Sequence, residues 1–374
     1  MRGLETHDNH GVDNSLLKVV RLDATLLGVI LALAALGMIV LYSAGGAEFD
    51  LLQRQGIRLL IGLAALFVLA HIPADALRLW SPWIYSVGLF LLIAVVVSGV
   101  AGGGAQRWLD IFGIMRFQPS EIMKLAAPMM LAWHFSDKHL PPSARQLLIA
   151  TAALGAPVVL IAIQPDLGTA LLVASAGIFV IFLAGIQWRM IIGLIITGLA
   201  CTPLLWHFMH DYQRQRVITL MNPEIDPLGS GYHIIQSKIA IGSGGLYGKG
   251  WLNGTQSQLD FLPERSTDFI FAVFGEEFGF FGVLILILIY LFIVLRGLYI
   301  ATRAQDTYSR LLAGSLSLSF FVYFFVNMGM VTGMLPVVGV PLPLISYGGT
   351  SMVTLMAAFG ILMSIHSHRR LLTR

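Results

Sequence analysis

The sequence predicts an all-α protein that crosses a membrane about ten times, with one long extracytoplasmic loop between the seventh and eighth helices. Two features of composition and one of patterning lead there. Hydrophobic residues make up 57% of the 374 residues and charged residues only 11%, less than half of the roughly 25% that a soluble chain carries. The mean hydropathy is +0.81. So few charges cannot cover a water-facing surface, which excludes a soluble enzyme and a disordered or fibrous chain. The pattern is a series of apolar stretches, each close to the roughly 20 residues that cross a bilayer as a helix.

In chain order these stretches cover 23–44, 57–73, 81–99, 119–135, 146–163, 167–185, 189–206, 269–296, 311–334 and 350–366. Ahead of them, residues 1–22 contain Glu5, Asp8, Asp13, Lys18 and Arg21 but no small-residue cleavage site. They read as a cytoplasmic leader rather than a signal peptide. Residues 23–366 then form one transmembrane domain and 367–374 a cytoplasmic tail, with His366, His368, Arg369 and Arg370 as a basic stop to the last helix. Seven closely spaced helices, a long loop over 207–268 and three more helices do not read as two similar halves, unlike many secondary transporters.

Orientation follows from Lys and Arg. With the N-terminus cytoplasmic, thirteen fall on the cytoplasmic side and only Arg54, Arg58, Arg107 and Arg116 in the short loops opposite. The positive-inside rule therefore places both termini in the cytoplasm and the 207–268 loop outside. The formal net charge of +3 is too small to suggest a nucleic-acid partner. The single cysteine, Cys201, can neither close an intramolecular disulfide nor anchor a cysteine metal site.

Chemistry-bearing residues gather on the external side. The loop 207–268 is rich in Gly, Pro, Asn, Gln and both charges, with a short amphipathic helix over 234–241. Connections this long are more often binding or lid elements than linkers. Its glycines between Gly242 and Gly250 do not make a phosphate loop. Ser243 occupies the first glycine position, and Gly250 follows Lys249 where Ser or Thr is required. They read as backbone that packs close to its neighbours.

A second patch is the external stretch GGGAQRWLDIFGIMRFQPSEIMK, residues 102–124. Arg107, Trp108 and Arg116 lie ahead of a helix opened by Pro119. Glu121 and Lys124 follow on one face of it. Two charges that deep are costly unless paired or facing a wet cavity. They read either as an ion pair that fixes helix packing or as part of a cavity for an anionic or sugar-bearing head group, a task for which arginine forks are suited. A third point is Asp166, in a short turn, where capping of the next helix alone would explain it. The fourth is Asp268, at the start of the eighth helix. It reads equally as a helix cap or as a general base at the mouth of a polar cavity. Glu276 and Glu277 follow about 12–14 Å deeper along that helix.

With these residues the sequence resembles the SEDS family (shape, elongation, division and sporulation). The motifs are GAQRWLD (104–110), RFQPSEIMK (116–124), QPDLGTA (164–170), NPEIDPLGSGYHIIQSKIAIGSGGLYGKGW (222–251), FLPERSTDFIFAV (261–273), EEFG (276–279) and PLPLISYGGTS (341–351). Their wording is similar to the rod-shape branch of the family more than to its division branch. Ser266 is a departure, standing where many members carry His before Thr267 and Asp268.

The resemblance implies an inverting peptidoglycan glycosyltransferase of the bacterial inner membrane. It would polymerise lipid II, an undecaprenyl pyrophosphate-linked disaccharide peptide, onto the GlcNAc 4-hydroxyl of another lipid-linked glycan on the outer face, for cell elongation and rod shape. A class B penicillin-binding protein, acting as transpeptidase, is the implied partner, together with the elongation machinery and membrane lipids. Asp268 matches the family's essential aspartate. Arg107, Arg116, Gln118, Glu121, Lys124, Asp166 and Lys238 match polar positions of its cavity, and Trp108 and Glu264 complete the candidate substrate-binding set. No cofactor motif is present, and a divalent cation assisting the leaving pyrophosphate remains open. The rival expectations are a lipid II flippase, an inactive scaffold, or the division paralogue's role.

Overall fold

The structure, a computed structural model, describes residues 22–102, 105–111, 115–186, 192–193, 196, 200, 211–222, 224, 229–259, 261–262 and 264–367. The expected helix over 189–206, the leader and the tail lie outside the described residues except at isolated or edge positions.

Three helices open the bundle: α1 (Ala24–Ala44), α2 (Phe49–His71) and α3 (Ala74–Ser98). Asp23 caps α1 by accepting a hydrogen bond from the Leu26 amide at 3.1 Å. Helix α2 starts eight residues before its apolar stretch, because Asp50 and Arg54 pair at 3.0 Å one turn apart and extend the helix through polar sequence. Then come three short strands, β1 (Val100–Gly102), β2 (Ala105–Ile111) and β3 (Met115–Phe117), in an antiparallel order β1-β2-β3. The all-α class holds for the chain, and the stretch ahead of the next helix adds these three short strands to it. Pairing Leu109 with Phe117 and Ile111 with Met115 satisfies backbone groups of a segment that would otherwise be an irregular loop.

Pro119 occupies the first turn of α4 (Pro119–Ser136). Helix α5 (Ala144–Ile163) opens on a capping box between Ser143 and Gln146. Helix α6 (Leu167–Leu183) is capped by Asp166. Between α6 and the last three helices lie α7 (Asp211–Met221), α8 (Ser230–Ser243) and the single turn α9 (Thr255–Gln258). The chain ends with α10 (Ile270–Thr302), α11 (Thr307–Val331) and α12 (Thr350–Ser367). Nine of the ten expected apolar stretches therefore coincide with described helices. Seven of these, α1, α2, α3, α5, α10, α11 and α12, are long and apolar enough to cross a membrane.

Helix α4 sits centrally, against α3, α6 and α11, while α12 packs along α2 and α10 along α11. Glu121, Lys124 and Met123 of α4 are all buried as a result. At one end of the bundle Arg296 of α10 pairs with the buried Asp23 at 2.8 Å, tying α10 to the start of α1.

Helix α10 is broken at Gly279, and the glycine-rich loop enters the break. The amides of Lys249 and Gly250 donate to the carbonyls of Glu276 and Glu277, both at 3.0 Å. The amides of Phe280 and Phe281 in turn donate to the carbonyls of Gly245 and Leu246, at 2.9 and 3.1 Å. The loop thus replaces the intrahelical bonds that the break removes, as apolar surroundings require. Gly248 and Gly279 are needed for it. Both have positive φ, and a Cβ on Gly248 would stand 2.1 Å from the Glu277 carbonyl oxygen. The expectation that these glycines serve close backbone packing is thereby met.

Candidate functional site: a carboxylate beside a polar cavity

Asp268 lies in the turn that leads into α10, and the turn is held by its carbonyls. Those of Ser266, Thr267 and Asp268 each accept one hydrogen bond, from the Tyr347 amide at 2.8 Å, Ser346 Oγ at 2.6 Å and Asn327 Nδ2 at 2.8 Å. The segment 341–347 is shaped for this by Ser346 Oγ, which also accepts from the Leu342 amide at 2.7 Å. Buried Gln55 of α2 donates to the Ser346 carbonyl at 3.1 Å. Glu264 opens the turn with φ of 53° and accepts from Thr267 Oγ1 at 2.7 Å.

The carboxylate of Asp268 is left free by this arrangement. It is half-buried and accepts no hydrogen bond among the described residues. Nor does it cap α10, whose N-cap position is Phe269, with no side-chain cap. The capping reading of Asp268 falls on this point. Burial pushes its carboxyl up to about 6, with nearby Glu264 adding to the effect and Arg216 opposing it. Such a group is ionised at neutral pH yet basic enough to take a proton.

Beside it is a polar cavity of about 210 Å³. Gly339 lines the cavity, and a Cβ built on it would be 3.4 Å from Asp268 Oδ2. Arg107, Trp108, Gln118, Glu121, Lys124 and Asp166, six of the residues singled out in the sequence, line the same cavity. They are also linked to one another. Asp166 caps α6 through the Thr169 amide at 3.2 Å, accepts from Gln118 Nε2 at 2.8 Å, and stands 3.8 Å from Arg107. Arg107 also donates to the Pro165 carbonyl. Lys124 donates to Glu121 at 2.6 Å and lies over the Tyr323 ring at 5.3 Å. The second carboxylate oxygen of Glu121 is buried with no partner among the described residues, as expected of a group that faces a ligand site.

The remaining candidates are placed differently. Arg116 falls in β3, in register with Asp110, and its side chain lies outside the described residues. Lys238 does not line the cavity. It is exposed on α8 and lies against Gly333, where a Cβ would come 2.7 Å from its Nζ. Glu264 is exposed on the turn of Asp268.

A larger apolar groove, about 630 Å³, runs between α2, α3, α4 and α12. It shares Glu121, Gly349 and Thr350 with the polar cavity, so the two spaces are contiguous. The site can therefore receive a molecule with a long apolar part and a charged, hydroxyl-bearing part, with the Asp268 carboxylate close to the cavity wall at Gly339.

Sequence reasoning passed over Asn327 and Gln55, which position the turn. Both are single amides within apolar helical sequence, and burial of such groups signals a fixed hydrogen-bonding duty. It also left Glu276 without partners. In the structure its fully buried carboxylate accepts from Lys249 at 2.7 Å, Thr255 at 3.0 Å and the Gln256 amide at 3.0 Å, holding the 243–257 loop to α10.

Fold and site together define a multi-pass membrane protein with a polar cavity continuous with an apolar groove, and with the Asp268 carboxylate close to the cavity wall at Gly339. The chain belongs to the FtsW/RodA/SpoVE family of cell cycle proteins, whose profile matches residues 15–371. It is 54% identical over 356 residues to the peptidoglycan glycosyltransferase MrdB of Escherichia coli K12, covering 95% of this chain and 96% of that one. Among solved structures it resembles a chain of a peptidoglycan synthase complex that coordinates polymerization and crosslinking. The TM-score is 0.82 at 32% identity, covering 94% and 99% of the two chains. It also resembles the rod shape determining protein RodA of Thermus thermophilus, with a TM-score of 0.70 at 30% identity, covering 93% and 98%.

Proposed function

We propose that this chain is a peptidoglycan glycosyltransferase that polymerises lipid II for cell elongation. The observation that carries the mechanism is the free carboxylate of Asp268 beside a polar cavity that opens into an apolar groove. The polyprenyl chain of a lipid-linked substrate lies in the groove, and its diphosphate and sugars lie in the cavity. Asp268 takes the proton of the acceptor GlcNAc 4-hydroxyl. That oxygen bonds to the anomeric carbon of the donor from the face opposite the diphosphate, and the bond from that carbon to the diphosphate oxygen breaks. Arg107 and Lys124 offset the charge left on the diphosphate. Glu121 keeps Lys124 in place, and Asp166 orients Arg107 and Gln118.

The similarity to a synthase complex supports a partner, a class B penicillin-binding protein that crosslinks the strands. The charge distribution supports an inner-membrane topology with both termini cytoplasmic and the Asp268 turn on the outer side.

The test uses the purified chain with its partner in detergent, the transpeptidase blocked by a β-lactam, and lipid II as substrate. Glycan polymer on a gel with wild type, and none with Asp268→Asn, is the expected result. An intact complex that yields no polymer, while liposomes show lipid II crossing the bilayer, overturns the reading in favour of a flippase.

A further inference from the structure

The apolar groove contains one basic side chain, Arg58 of α2. It lies nine residues after the start of α2, about 14 Å along the axis. Its guanidinium is stacked 4.1 Å above the Tyr347 ring. It makes no hydrogen bond and no ion pair among the described residues. The other charged residue of the groove, Glu121, is already paired with Lys124 at 2.6 Å. A guanidinium held by its flat face keeps its rim of N–H donors available, and that rim matches the oxygens of a phosphate. An arginine kept at the edge of a lipid-filled space without an anion is costly, so the arrangement calls for one.

Its position says which anion. Gly349 lines both the groove and the polar cavity, and a Cβ on Gly349 would lie 3.5 Å from Arg58 Nε. Arg58 therefore stands where the apolar space passes into the polar one. In a polyprenyl diphosphate that boundary falls at the phosphate esterified to the lipid, while the second phosphate and the sugars extend towards Arg107 and Lys124. We propose that Arg58 is the substrate-binding residue for this lipid-proximal phosphate, an assignment that rests on the lipid-linked substrate proposed above. Backbone groups at Gly348 and Gly349 flank the phosphate, and Tyr347 fixes the plane of the guanidinium.

The experiment measures binding of four probes to the purified full-length chain in detergent: undecaprenyl monophosphate, undecaprenol, inorganic phosphate and phosphatidylglycerol. With wild type, the monophosphate binds at least tenfold tighter than undecaprenol, and neither inorganic phosphate nor phosphatidylglycerol competes at matched concentration. Arg58→Gln removes the advantage of the monophosphate and leaves undecaprenol binding unchanged, and Arg58→Lys retains part of it. Equal binding of monophosphate and undecaprenol to wild type overturns the proposal, a result that needs no variant to fold. An undiminished advantage in folded Arg58→Gln also overturns it, as does competition by phosphatidylglycerol or inorganic phosphate. If wild type nevertheless makes glycan polymer, only the Arg58 assignment falls. If wild type makes none, the proposed function itself falls.

Discussion

Asn327 Nδ2 donates to the backbone carbonyl of Asp268 at 2.8 Å while the same nitrogen donates to the carbonyl of Val340 at 2.7 Å. One fully buried amide thus joins three segments: helix α11, the turn into α10 and the strap that carries Gly339. Gly339 lines the polar cavity, and a Cβ on it would stand 3.4 Å from Asp268 Oδ2. The bridge ties the backbone of Asp268 to the strap that lines the cavity.

Asn327→Ala should therefore slow the reaction more than it weakens binding. It leaves two buried carbonyls short of a partner, at about 1–3 kcal/mol each. A displacement of the base of the order of 1 Å costs about 100-fold in rate. The expected outcome is kcat lower by about 100-fold with KM within about threefold, read from initial rates of lipid II polymerisation. A purely structural role would lower the melting temperature and leave kcat per folded molecule intact.

For Asp268, the pH dependence has a defined sign. Its carboxyl is raised to about 6 from the ordinary carboxylate value, so in the proposed role of general base it is protonated and inactive below that pH. The rate constant kcat/KM should rise about tenfold per pH unit up to about pH 6 and level off above it. The contribution to stability runs the other way. A carboxyl raised on folding favours the protonated folded state at low pH, and that contribution is lost as pH rises through about 6. Asp268→Asn cannot ionise, and the residue caps nothing. At pH 7.5 the variant should melt no lower than wild type while polymerisation is abolished; activity above a tenth of wild type would remove Asp268 from the chemistry.

Glu121 and Lys124 should show strong coupling in a double-mutant cycle. Both are buried and bonded at 2.6 Å. Breaking such a pair from one side typically costs about 3–5 kcal/mol. Glu121→Gln with Lys124→Met should therefore be more stable than the worse single variant. It should still be inactive, because Lys124 faces the polar cavity. Full activity of the folded double variant would make the pair a packing device only.

What could be read from the sequence follows from the range of each interaction. Long apolar runs declare membrane helices locally, so nine stretches were placed well, although α2 and α3 run on into polar sequence that hydropathy does not register. The pairing of Glu121 with Lys124 was legible because three residues on a helix make one face. The strands over 100–117 were not, since they are three to seven residues long and broken by glycines. Asp268 reads equally as a cap or a base in sequence, because the choice turns on where α10 starts, and its N-cap is Phe269 with no side-chain cap. Lys238 looked like a cavity residue by resemblance alone, and it lies against Gly333 instead. The partners of Glu276 come from residues up to 27 positions away, on a loop whose path no local pattern fixes.

That loop supplies the last test. Glu276 gathers Lys249, Thr255 and Gln256, while the backbone from Gly245 to Gly250 fills the break in α10. The two contacts are adjacent but differ in kind, one electrostatic and one steric, so their variants should differ. Glu276→Gln keeps the shape and some hydrogen bonds but leaves Lys249 without its anion; hydrogen exchange should quicken across 249–259 while α10 itself stays protected. Gly248→Ala instead drives a methyl to 2.1 Å from the Glu277 carbonyl, at a residue with φ of 80°. It cannot be accommodated without expelling the loop from the break. Four backbone bonds at α10 would then open in an apolar setting, and exchange should quicken at Phe280 and Phe281 as well. Because α10 begins two residues after Asp268, Gly248→Ala should also depress polymerisation by at least tenfold. Protected amides at Phe280 and Phe281 in that variant would show that the helix break does not depend on the loop.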